Sequence, residues 1–120
     1  MPPVPINLND HVTGDTWEGI SIGPVLFNGA KPPYALASCR LYFRDANNKS
    51  FAYGFKSSAS DGFGLISITS GDEWRANIPA QPLPLHAGRY SWDFETTDSS
   101  GIVRTIYAGV LKVLEDSSHD

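Results

Sequence analysis

Apolar and polar residues alternate along this chain in short runs, and helical spacing is nearly absent. The cleanest run is Gly88-Arg89-Tyr90-Ser91-Trp92-Asp93-Phe94-Glu95-Thr96. Tyr90, Trp92 and Phe94 share one face of it, and Arg89, Ser91, Asp93 and Glu95 share the other. Ala35 to Asp45 repeats the pattern, with Cys39, Leu41 and Phe43 opposite Arg40, Tyr42 and Arg44. Ala46-Asn47-Asn48-Lys49 then predicts a hairpin turn. The chain returns through Ser50 to Lys56, with Phe51, Tyr53 and Phe55 expected on one face.

The other strands are shorter. Ile6 to Asn9 predicts a first strand, preceded by an extended arm containing Pro2, Pro3 and Pro5. Thr13-Gly14-Asp15 reads as a turn and Thr16 to Ile22 as the second strand, with Pro24 at its end or on an edge. Asn28 to Pro33 is a loop of turn formers. Leu65 to Ile68 and Glu73 to Ile78 predict strands, the first of them inside a Gly- and Ser-rich stretch, Gly54 to Gly71, whose pairing the pattern leaves open. Ala80 to Ala87 carries Pro82 and Pro84 and reads as irregular. Asp98-Ser99-Ser100-Gly101 predicts a hairpin loop. Ile102 to Leu114 predicts a long last strand, irregular near Ala108-Gly109.

Strands and turns at this spacing predict an all-β fold, an immunoglobulin-like sandwich of about 7–9 antiparallel strands. The 120 residues fit one domain, 1–120, with a Pro-rich arm at 1–5 and an acidic tail at 115–120.

Charge and composition narrow the partners. The net charge is −4 and the nine basic residues are scattered, so no stripe for phosphate binding stands out and nucleic acid is not expected. No apolar stretch approaches the length of a membrane helix, and no signal-peptide pattern opens the chain, so synthesis in a cytoplasm and no membrane partner are expected. The one cysteine, Cys39, has no partner for an internal disulfide and reads as a buried strand residue rather than a nucleophile.

Candidate chemistry is sparse. Asp93, Glu95 and Asp98 lie close together, but a solvated strand face explains them better than an acid–base pair does. Asp61-Gly62, Asp72-Glu73 and Asp98 to Gly101 offer loop oxygens without the spacing of a calcium loop. His11, His86 and His119 stand apart, so no metal site and no cofactor are expected. Asn48-Lys49-Ser50 matches a glycosylation sequon, and the turn reading is preferred. Trp92 reads as core. Burial is the favoured reading for Trp17 and Trp74 too. If exposed, they would join Arg40, Tyr42 and Arg44 as interface residues, since aromatic and Arg side chains anchor interfaces. Of these, Tyr42 is the first choice for an exposed contact.

The second half carries a resemblance. The segments are Ile78-Pro79, Leu85-His86-Ala87-Gly88-Arg89-Tyr90-Ser91-Trp92-Asp93-Phe94-Glu95, Asp98 to Thr105, and Ala108-Gly109-Val110-Leu111-Lys112-Val113. They resemble small immunoglobulin-like structural proteins of tailed bacteriophages and prophages, and are similar to the N-terminal module of some phage upper-baseplate proteins. Thr13-Gly14-Asp15-Thr16 fits the same pattern more loosely. The resemblance implies a non-enzymatic virion protein that docks other virion proteins, in multiple copies or as a homo-oligomer. It places the chain in the tail, baseplate or fibre region, with capsid or neck decoration as the alternative. A reading from another class is a carbohydrate-binding module for host surface glycan, which requires exposed aromatics such as Trp17 and Trp74 on one face.

Overall fold

The computed structural model describes residues 3–27, 29–58, 60–69 and 73–115. The first two residues of the arm, Asp72, His119 and the tail beyond Glu115 lie outside the described residues.

The chain is all-β, and no helix occurs among the described residues. Its strands are β1 (Val4–Pro5), β2 (His11–Val12), β3 (Thr16–Trp17), β4 (Ile20–Val25), β5 (Leu36–Asp45), β6 (Phe51–Lys56), β7 (Gly64–Leu65), β8 (Ser67–Thr69), β9 (Trp74–Ile78), β10 (Gln81–Pro82), β11 (Gly88–Asp98) and β12 (Val103–Leu114). The larger layer runs β1-β12-β11-β5-β6-β7, with β2 also on β12. The smaller layer is β4-β9-β8, and β3 pairs with β10 beside it. The two layers enclose one core, the immunoglobulin-like sandwich expected from the alternation.

Twelve elements replace the expected 7–9 because breaks divide several of the strands read from the sequence. The second strand splits at Glu18-Gly19 into β3 and β4, which join different sheets. Leu65 to Ile68 splits as well. β7 pairs parallel with β6, then the chain crosses at buried Ile66 so that β8 pairs with β9. The arm is the other parallel component. Val4 and Pro5 lie against Tyr107 and Ala108, and His11 and Val12 against Val113 and Leu114. Between them the Ile6 and Leu8 amides donate to Ala108 O and Val110 O.

The arm also explains a glycine. A Cβ on Gly109 would sit 1.6 Å from Ile6 O, so only glycine lets the arm cross there. The irregularity expected at Ala108-Gly109 falls instead at Ile106, where the β11–β12 register shifts between Phe94 and Glu95.

Tyr90 opens β11 and donates its hydroxyl to His86 O at 2.8 Å. This is the tyrosine corner of immunoglobulin-like sandwiches. Burial first, and the charge of Asp45 second, raise the Tyr90 pKa and keep the phenol protonated. At the far end of β11, buried Asp98 organises the hairpin. Its Oδ1 accepts from the Ser100 amide and hydroxyl and from the Ile102 amide, and its Oδ2 accepts from Arg104 Nη1 at 2.7 Å. The Ser100 hydroxyl and then Arg104 hold this carboxyl well below the usual carboxylate range.

Candidate docking face

The outward face of the larger layer starts from the alternation of β5. Leu41 and Phe43 point inward and are fully buried, which turns Arg40, Tyr42 and Arg44 outward. Cross-strand register sets their neighbours. On β11 these are Glu95, Asp93 and Ser91, and on β6 they are Lys56, Gly54 and Phe51.

Phe51 belongs to this face because of a bulge. Strict alternation would place it with Tyr53 and Phe55, but the β5–β6 register shifts between Phe43 and Arg44. Phe43 faces Tyr53 while Arg44 faces Phe51, so an extra residue turns Phe51 out. The residue is 46% exposed. Phe63 arrives from the loop before β7 and completes a cluster. Tyr42 meets Phe51 edge-on at 5.0 Å and stacks on Phe63 at 5.8 Å, and Phe51 lies 5.5 Å from Phe63. Gly54 makes room underneath, since a Cβ there would fall 2.5 Å from Tyr42 Cδ1.

Cations cap the cluster. The Arg40 guanidinium lies 4.2 Å and that of Arg44 5.4 Å from the Tyr42 ring centre, and Lys56 Nζ lies 4.2 Å from that of Phe63. Arg40 is also held by Glu95 through two contacts, at 3.1 and 2.7 Å. Its Nη1 stands 3.6 Å from Asp93 Oδ1, beyond hydrogen-bond reach, and both of these buried atoms lack another partner. Together the contacts fix a partly exposed cluster of aromatic rings and cationic side chains. A shallow groove lined by Ser38, Arg40, Lys56, Ser57 and Glu95 runs beside it.

Trp17 and Trp74 are not part of any exposed face, which corrects their candidacy as interface residues. Trp17 is 4% exposed, stacked on Phe55 at 5.7 Å and edge-on to Phe43 at 6.2 Å. Trp74 is 1% exposed, meets Phe27 at 5.2 Å and donates its indole N–H to Tyr34 O at 2.9 Å. Both come from the smaller-layer side of the sandwich, where Trp17 fills the space over Phe43 and Phe55 and Trp74 lies near Leu36 and Phe94. Trp92 is buried as well.

The remaining candidates have structural work. Cys39 is buried, and desolvation pushes its thiol up to about 12 despite the Ser57 contact, so it stays protonated. Asp98 is committed to its hairpin. His11 is buried on the edge of β12 with its Nε2 unpartnered. No group of three or more metal-ligating side chains occurs among the described residues. No helix among them is long and apolar enough to cross a membrane.

Sequence reading named Arg40, Tyr42 and Arg44 but missed Phe51, Phe63 and Lys56. The bulge left no mark in the alternation. Gly54 inside a strand was the available signal, because such a glycine marks close approach of another group.

No family model and no curated protein matches the chain. A solved structure similar to it is that of CopC from Methylosinus trichosporium OB3b, with 8% sequence identity, a TM-score of 0.48, and coverage of 90% of this chain and 86% of that one. That likeness assigns no chemistry to this chain.

Proposed function

We propose that the chain is a non-enzymatic docking module of a tailed-phage virion, held in place through the outward face of its larger layer. The observation that carries the docking reading is the Tyr42–Phe51–Phe63 cluster capped by Arg40, Arg44 and Lys56. Aromatic and Arg side chains dominate binding energy at interfaces. Here they already hold one another in place, so a partner orders few of them anew. The virion assignment rests on the sequence resemblance, with the tail, baseplate or fibre region preferred and capsid or neck decoration as the alternative. The glycan-binding reading loses the two residues it named, since Trp17 and Trp74 are buried.

The test is mass spectrometry and antibody labelling of purified particles from the lysate that encodes the chain. The expected result is a fixed copy number per particle and labelling at one location. Absence from purified particles overturns the virion assignment.

A further inference from the structure

The N-terminal arm closes one edge of the larger layer, and its backbone does the joining. Val4 and Pro5 pair with Tyr107 and Ala108, and the Ile6 and Leu8 amides donate to Ala108 O and Val110 O at 2.8 and 3.1 Å. Side chains add little to this hold. From Pro3 to Asp10 every residue is exposed except half-buried Leu8, and Val4 and Ile6 leave apolar surface in water. Burial resumes at His11, which pairs with Val113 and fixes the base of the arm. From Val4 to His11 the arm takes seven steps against six on β12, from Tyr107 to Val113, so one arm residue is spare. Ile6 and Leu8 are still in step with Ala108 and Val110, so the spare residue falls at Asn9-Asp10, exposed and outside any strand. Residues 3–8 are thus a strand held by hydrogen bonds on a two-residue hinge.

Both sides of the arm are selective. On the inner side, Gly109 leaves the space that Ile6 O occupies, which a side chain would fill. On the outer side, alternation turns the nitrogens of Pro3 and Pro5 away from β12, because Ile6 and Leu8 turn theirs toward it. Proline has no N–H, so the arm offers no donor at those positions and the sheet does not extend past it. The edge rejects a strand laid outside the arm but stays open to a replacement of the arm, and a second copy carries the segment that fits the seat. We infer that the arm, Pro3 to Leu8, is exchanged between two copies, each laying its arm on the β12 edge of the other in a closed two-fold dimer. The exchanged and unexchanged forms make the same hydrogen bonds and differ at the hinge, so concentration decides between them. The fixed φ of the prolines keeps a detached arm extended, which lowers the entropic cost of crossing to a second copy.

This inference concerns the β12 edge and not the aromatic face, so it stands or falls apart from the docking reading. The test uses two full-length variants. Gly109→Ala blocks the seat and frees that chain's arm. Ile6→Pro removes the amide that donates to Ala108 O and leaves that chain's seat empty. Each alone should sediment as a monomer. An equimolar mixture should form a heterodimer, with the free arm of the first variant in the empty seat of the second. Hydrogen exchange at the Leu8 amide of the Gly109→Ala chain should slow again on mixing. A mixture that stays monomeric, with both variants folded by circular dichroism, overturns the inference. Wild type gives a second reading that no folding defect touches. Isotope-labelled and unlabelled chains are incubated together at millimolar concentration, and the dimer is isolated by size exclusion. Arm exchange expects through-space NMR contacts between Ile6 of one chain and Gly109 of the other. No dimer, or a dimer whose arm contacts all stay within one chain, overturns the inference.

Discussion

Phe43 and Tyr42 are consecutive residues of one strand, yet they do different work. Phe43 points inward with no exposed surface and meets Trp17 and Phe55. Tyr42 points outward, half-buried, under two guanidinium groups and beside two phenylalanine rings. The inner face is closed on all sides, so its aromatic area is removed from water by folding alone. The outer cluster is closed on one side only, and what remains exposed is available to a partner. On the proposed docking reading, the two faces of the layer separate stability from recognition.

The sharpest way to break this comparison is to truncate each residue. Phe43→Ala should cost about 3–5 kcal/mol in urea unfolding, from lost transfer energy plus a cavity. Tyr42→Ala should cost about 1 kcal/mol, the scale of one partly exposed aromatic contact. Equal costs would show that the outer cluster is a second core.

Glycines offer a finer version of the same contrast. Gly109→Ala forces a methyl group against Ile6 O, a backbone atom, and should cost about 2 kcal/mol. Hydrogen exchange should accelerate at the Ile6 and Leu8 amides, which hold the arm to β12. Gly54→Ala meets the Tyr42 ring, which can swing away. It should perturb the fluorescence or NMR signals of the outer cluster with a smaller stability change.

The hairpin adds a pH dependence. The folded pKa of Asp98 is depressed, so its contribution is fully present above the unfolded value of about 4 and is lost as pH falls from there toward the folded value. Acid unfolding followed by circular dichroism should show wild-type stability declining below about pH 4. Asp98→Asn, less stable at neutral pH, should show a flatter decline over that window. Parallel acid limbs would mean that the Ser100 and Arg104 contacts do not bias the carboxyl. A similarly small effect is expected at the tyrosine corner. Tyr90→Phe removes one hydrogen bond to His86 O and should cost about 1 kcal/mol.

The inner face was more legible in the sequence than the outer one, for a physical reason. Tyr90, Trp92 and Phe94, and Leu41 with Phe43, obey a period of two because a long central strand has no freedom to depart from it. Burial followed directly. The outward Arg40, Tyr42 and Arg44 were legible as the complement of that pattern. Phe51 and Phe63 were not, because one is turned out by an inserted residue and the other is delivered by a loop. Neither event has a periodic signature. The crossing at Ile66 was hidden for the same reason. A continuous apolar run reads as one strand, while the chain uses it to pass between sheets.

The measurement that bears most directly on the separation of the two faces uses R44E/F51S, which alters only outward side chains. The protein would be supplied in trans to a lysate whose own copy of the gene is disrupted, and its melting midpoint and incorporation into particles would be compared with wild type. The account predicts a midpoint within about 5 °C of wild type, the scale of about 1 kcal/mol for a domain of this size, together with loss of the protein from particles. Incorporation at the wild-type level would contradict it.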